Sequence, residues 1–188
     1  MLSEIGDGRI PAGMEVWDLY DVNRQKTGET CFRGCTLPDG RFHLVVNVCV
    51  FNDQGAMLIQ QRQSSKVPYP DLWALSSGGS AIAGETSAMA ASRELQEEIG
   101  ITSDFTGQRP LLTISGTNSF SDYYLLRANP DLYTLSLQSE EVQAVRWATL
   151  DDILRLLRLG QFVPYHQSLI SLLFDMEREG TGAIVRMR

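Results

Sequence analysis

The chain has 188 residues, 43% of them hydrophobic, and its 16 basic and 23 acidic side chains leave a net charge of −7. This length supports one substantial core without a second domain, and the acidic balance provides no broad positive footprint for a long nucleic acid. No apolar run approaches a membrane span, and the opening MLSEIGDGRI lacks the basic-then-apolar order of a signal peptide, so a cytoplasmic protein without membrane attachment is expected.

In chain order, EVWDLYD at 15–21, then NRQKTG and ETCFRG, read as strand, turn and strand, an amino-terminal hairpin within an extension of about residues 1–36. Residues 37–188 then form the core and carboxy-terminal helix of a single domain spanning 1–188. Three cysteines, Cys31, Cys35 and Cys49, are an odd number at spacings unlike a zinc knuckle, and are expected to be reduced packing residues. The two histidines, His43 and His166, lie far apart and are read as structural or surface groups. His43 to Phe51, HLVVNVCVF, is almost continuously apolar and β-branched, as a central strand covered on both faces requires. Asn52 to Gly55 turns the chain into a strand over Ala56 to Arg62, followed by a loop at 63–72 and a short segment beginning at Trp73.

From Thr86 to Ile99 there is no glycine or proline, and Gly100 stands where a helix would end in a left-handed cap. Ala88, Ala91, Leu95 and Ile99 make one apolar stripe, while Glu94, Glu97 and Glu98 share an arc of about 100° on a neighbouring face. Carboxylates at such spacings repel one another by a few tenths of a kcal/mol per pair even on an isolated helix, so the cluster calls for a cation. Oxygen-only ligands suit Mg2+ or Mn2+ rather than zinc, and such an ion keeps positions open for water and phosphoryl oxygens. Arg93 can hold one of these carboxylates through its planar fork. Glu85 lies just before the helix, where a negative charge meets unpaired backbone N–H groups and an ion pair with Arg93 is in reach.

Beyond the helix, Leu111 to Ser115, Ser121 to Arg127 and Val142 to Trp147 are strand candidates. Thr149 with Asp152 resembles a capping box opening a helix to about Leu159, and a last helix over about 165–179 carries Leu169, Leu172, Leu173 and Met176 on one face as core residues.

Gly79, Glu85, Arg93, Glu94, Leu95, Glu97, Glu98, Gly100 and Ile101 fall at the spacing G-x5-E-x7-R-E-U-x-E-E-x-G-U. At background frequencies of a few per cent per fixed residue, a chance match in a chain of this length is on the order of one in ten million. The pattern resembles a Nudix box. W-D-x-Y-D at 17–21, TG, RG, HLVVNV, LIQQR, YPDLW and the GG at 78–79 extend the likeness, over residues 15 to about 150, to a bacterial subgroup related in sequence to isopentenyl-diphosphate isomerase.

The resemblance implies an α/β fold, a Nudix α/β/α sandwich with a mixed β-sheet behind the amino-terminal hairpin. It implies Mg2+-dependent hydrolysis, with Mn2+ as the other candidate ion, of a nucleoside diphosphate linked to another moiety, by water attack at phosphorus. The expected metal ligands are Glu94, Glu97, Glu98 and a backbone carbonyl at Gly79, with Arg93 and Glu85 completing the catalytic set. In some Nudix enzymes the base is a glutamate well after the box, which makes Glu140 or Glu141 the candidate beside the box glutamates themselves. Arg62 is a candidate for holding a substrate phosphate. The partner is a small phosphorylated molecule, and the hairpin offers an edge for a homodimer.

Two other functions stand beside hydrolysis. The isomerase resembles a site of several histidines and a cysteine in C-G-H-P, but Gly78 stands in place of that cysteine and Ser80 in place of that histidine. A non-catalytic nucleotide sensor would be expected to lose box carboxylates, and none is lost. No segment distinctive of enzymes for NADH, ADP-ribose or CoA is present. Trp73, Phe120, Tyr123 and Tyr124 are candidates to stack a base, or core residues.

Overall fold

The computed structural model describes residues 14–179, so residues 1–13 of the amino-terminal extension and the end of the chain from 180 lie outside the described residues. Within that span the strands are β1 (Val16–Tyr20), β2 (Lys26–Phe32), β3 (His43–Phe51), β4 (Met57–Arg62), β5 (Trp73–Ala74), β6 (Ser77–Ser80), β7 (Leu112–Ser115), β8 (Ser119–Arg127) and β9 (Val142–Ala148). The helices are α1 (Ser87–Ile99), α2 (Leu150–Arg158) and α3 (Gln167–Glu179), with a single 3-10 turn at Leu132–Thr134.

β3 is the axis of the main sheet. Its parallel pairing with β8 runs the full nine residues, from His43 opposite Ser119 to Phe51 opposite Arg127, and antiparallel β7 completes that edge. Side chains alternate across a strand, and β3 uses both faces. Leu44, Val46, Val48 and Val50 join α1 in one core cluster, while Cys49 and Phe51 join α2 and α3 in the other. The sheet therefore lies between α1 on one side and α2 with α3 on the other, as expected of an α/β/α sandwich.

The other edge of β3 determines where the site forms. β3 and β4 pair only at Phe51 and Met57, then diverge. β5 follows β4 through Gln60 and Gln61, and β6 follows β3 from Val45 to Val48. Ser76, fully buried in the crotch, ties the fork together: its hydroxyl accepts from the Val50 amide at 2.8 Å and donates to the Leu58 carbonyl at 2.5 Å. β6 is thus laid beneath α1, and a Cβ at Gly78 would sit 2.6 Å from the Val46 carbonyl oxygen, which only glycine avoids.

Helix ends follow local chemistry. Thr86 caps α1 by accepting from the Met89 amide, and Gly100 closes it at φ 74° in the left-handed conformation. Thr149 and Asp152 form the expected capping box on α2. Two expectations need correction. Cys31 and Cys35 are not reduced packing residues but are joined in a disulfide, because the chain reverses at Gly34 (φ 94°) and brings their Cα atoms to 6.3 Å, within bridging range. Cys49 alone is a buried thiol, and burial pushes it up to about 12. On α3 the expected Leu173 is buried, together with Ile170 and Phe174, whereas Leu172 is 44% exposed, because the helix sets Phe174 edge-on against Phe51 and so meets the sheet by a rotated stripe.

Candidate active site

The acid-bearing face of α1 rests on β6 and on the end of β4. Glu98 is 6% exposed, and its Oε2 accepts from the Gln60 side-chain amide at 3.0 Å and from the Gly78 backbone amide at 2.9 Å. Both donors are neutral. Burial, above all, holds the Glu98 carboxyl above the usual carboxylate range, and the charge of Glu141 adds to it. Glu94 lies against Gly79 so closely that a Cβ there would overlap its carboxylate. Burial and the neighbouring Glu98 push Glu94 up to about 7, despite the nearby Arg93.

Arg93 organises the rest. Its Nε donates to Glu85 Oε1 at 2.7 Å and its Nη2 to Glu85 Oε2 at 3.0 Å, a forked pair of the strong kind. Nη1 reaches Glu94 at 2.8 Å and Glu97 at 3.0 Å, and Nη2 also donates to the Ser80 carbonyl at 3.1 Å. Its hydrogen bond with Glu85, above all, keeps the guanidinium charged over the whole useful pH range. Glu85, only 9% exposed, accepts additionally from the Ile82 amide at 2.9 Å, so one arginine links the turn before α1 to two carboxylates on it.

The fit to a divalent cation can be tested on these contacts. Among the described residues no three His, Cys, Asp or Glu side chains converge as they stand closely enough to hold an ion, and Glu97 and Glu94 are both paired with Arg93. The donor chemistry nevertheless fits: two adjacent buried carboxyls whose ionisation burial opposes, one of them held only by neutral donors, would be stabilised as carboxylates by a hard cation. Glu94 and Glu98, with the backbone at Gly79, are the groups that could form the inner part of such a site, with Glu97, its side chain 51% exposed, at the solvent edge.

The loop after β8 reaches the same place from outside. The Gln138 amide donates to the Glu98 carbonyl at 3.0 Å, which fixes the turn carrying Glu140 and Glu141 against the end of α1. Glu141 is paired with Lys66 from the 63–72 loop, an ion pair 2.5 Å long. Arg62, expected as a phosphate ligand, spends Nε on the Tyr69 carbonyl at 3.1 Å and Nη2 on the Pro68 carbonyl at 3.0 Å; it shapes that loop. Phe120, Tyr123 and Tyr124 are buried core residues, and Trp73 carries the Arg146 guanidinium 4.7 Å above its ring. Gln60 went unnoticed in the sequence, although strand alternation from Leu58 already aims it at the α1 side. Lys66 left no comparable signal, because its partner lies 75 residues away.

Residues 41–172 match the NUDIX domain family model. The chain is 42% identical over 168 residues, 89% of its length and 98% of the relative's, to an uncharacterized Nudix hydrolase of Listeria monocytogenes. It is similar to an isopentenyl-diphosphate Delta-isomerase of Streptomyces avermitilis over only 85 residues, at 32% identity, covering 45% of this chain and 43% of that one. Among solved structures, DR0079 from Deinococcus radiodurans superposes with a TM-score of 0.69 at 26% identity, covering 84% of this chain and 98% of that one.

Proposed function

The chain belongs to the Nudix hydrolase family, a pyrophosphohydrolase by that membership, and from this premise we propose that it is a Mg2+-dependent enzyme cleaving a nucleoside diphosphate linked to another moiety. The single observation that carries the metal is Glu98, a buried carboxylate held by the Gln60 and Gly78 amides without a cationic partner among the described residues. Glu94, Glu97 and Glu98, with the Gly79 carbonyl, would hold the ion, and Mn2+ has the same ligand preference. Bound there, the cation supplies neutralisation of phosphoryl oxygens and a lowered pKa for the attacking water.

The chain's own residues do the rest. Arg93 holds Glu94 and Glu97 and is itself anchored by Glu85, so the acid face keeps its geometry between turnovers. A water oxygen forms the new bond to phosphorus, its proton passes to a carboxylate, and the bridging P–O bond breaks with its electron pair on the leaving phosphate. Glu141, beside Glu98 and steadied by Lys66, is the outer candidate for that proton, and the box glutamates are the inner ones. Isomerisation has no support at the site, where Gly78 and Ser80 occupy the positions of the required cysteine and histidine and the thiol of Cys49 is fully buried.

The test is release of phosphate and nucleotide from nucleoside diphosphates, triphosphates, dinucleotides, nucleotide sugars and CoA, with Mg2+ present or chelated. Cleavage should require the metal and fall on the order of 100-fold or more in Glu98→Gln. That variant keeps an acceptor for Gln60 and Gly78, so it should remain folded. Tight binding of a panel member by wild type without cleavage would replace hydrolysis by a sensor role.

A further inference from the structure

The amino-terminal hairpin lies outside the 41–172 segment matched by the family model, yet it grips the turn that carries Glu85. That turn, Ile82–Glu85, is closed by the Glu85 amide donating to the Ile82 carbonyl at 3.0 Å, with Gly84 at φ 93°. The N–H groups of its two middle residues point away from the turn, and both are taken by β1. Ala83 donates to the Val16 carbonyl at 2.7 Å, and Gly84 donates to Asp18 Oδ2 at 2.8 Å. Asp18 is steadied in turn by Lys26 of β2, across the hairpin at 2.6 Å.

The far end of the hairpin holds the next residues. Arg24, in the β1–β2 connection, donates to both oxygens of Asp122 on β8, a side chain with no solvent exposure. Asp122 also accepts from Ser87, the first residue of α1, and the Tyr124 hydroxyl donates to that same Ser87 oxygen at 3.0 Å. Segment 82–87 is thus held by the hairpin directly at Ala83 and Gly84 and, through the Asp122 carboxylate that Arg24 and Ser87 share, indirectly at Ser87, with Glu85 between the two attachments. Glu85 fixes Arg93, and Arg93 fixes Glu94 and Glu97.

We propose that the amino-terminal hairpin is a positioning element of the active site, and that Asp18, through the Gly84 amide, sets the placement of Glu85 and so of the metal-holding carboxylates. Asp18 touches no substrate; it is a positioning residue, and its role rests on the metal-dependent reading of α1. A surface salt bridge alone would contribute little to this, since Lys26 is half exposed and such pairs are weak. The hydrogen bond to Gly84 is the part that matters.

The experiment titrates Mn2+ into wild type, Asp18→Ala and Asp18→Asn, following free Mn2+ by its electron paramagnetic resonance signal, with amide hydrogen exchange over 82–87 recorded beside it. Asp18→Ala should weaken Mn2+ binding about tenfold, the scale seen when groups behind metal ligands are removed, and speed exchange at Gly84. Asp18→Asn keeps an acceptor oxygen and should restore both to within about twofold. Equal Mn2+ affinity in Asp18→Ala and wild type would overturn the proposal, as would an Asp18→Asn defect as large as that of Asp18→Ala, which would trace the effect to the ion pair instead. Absence of Mn2+ binding in wild type itself would overturn the metal site beneath it, a result distinguishable from both.

Discussion

At the scale of single residues, the site holds two carboxyls that burial keeps from ionising freely and that a cation would stabilise as carboxylates. Glu94 and Glu98 are both pushed upward, chiefly by burial, and Arg93 neutralises only part of the cluster because its fork is committed first to Glu85. A carboxyl raised in the folded state favours folding while it is protonated in both states, and that contribution is lost as pH climbs from the unfolded carboxylate range through the folded value. For Glu94 the window runs from about 4.5 to about 7. Metal-free protein should therefore lose on the order of 2–3 kcal/mol across that window relative to Glu94→Gln. Mg2+ should recover it, raising the melting temperature more at pH 8 than at pH 5. Thermal melts at the two pH values, with and without Mg2+, read this directly, and an equal Mg2+ gain at both would refute it.

At the scale of elements, β6 matters more than its four residues suggest. It fills the fork between β3 and β4, supplies the Gly78 amide to Glu98, and brings Gly79 against Glu94. Gly79→Ala should leave the strand pairing intact but displace the Glu94 carboxylate, lowering metal-activated turnover about 10- to 100-fold and raising the Mg2+ concentration needed for half activation. A Mg2+ activation curve like that of wild type would show that Glu94 tolerates the shift. The two glycines, the box helix and its Gly100 cap were legible in the sequence, because helix periodicity and cap chemistry are local and act within a few residues. The fork was not legible, since it depends on which neighbour each edge of β3 and β4 finds, and β5 and β6 together contain too few residues for a periodic pattern. The α3 stripe was legible only in part: Leu173 is buried and Leu169 packs against the core as expected, but packing against Phe51 brought in Ile170 and Phe174 and left Leu172 outside.

At the scale of the whole molecule, the hairpin and the sandwich are joined through a buried charge. Asp122 has no solvent exposure, and Arg24 is the one cation paired with it among the described residues, with Thr113 and Ser87 as neutral donors. Removing Arg24 strands a carboxylate in the interior, which costs more than the pair contributes. Arg24→Met should lower the unfolding free energy by about 3 kcal/mol in urea titration, and the double variant Arg24→Met with Asp122→Asn should regain most of it. A single-variant loss below about 1 kcal/mol would place the attachment of the hairpin elsewhere, at the β1 contacts.

By itself the sequence determined the fold class, the acidic helix α1, the order of the longer strands in the chain and the helix-borne acidic residues with Arg93. These depend on hydrophobic periodicity, on cap residues and on a spacing pattern within 23 consecutive residues, all short-range properties. Only the tertiary structure decided that Arg62 serves its own loop, that Lys66 meets Glu141, that Cys31 and Cys35 are bridged, that Asp18 reaches the turn before α1, and that Arg24 reaches Asp122 on β8. Most of these are pairings set by how the sheet forks and the hairpin lies across it. The disulfide depends on a chain reversal at a single glycine. A one-dimensional pattern carries no record of which distant groups the packing will bring within 3 Å of each other.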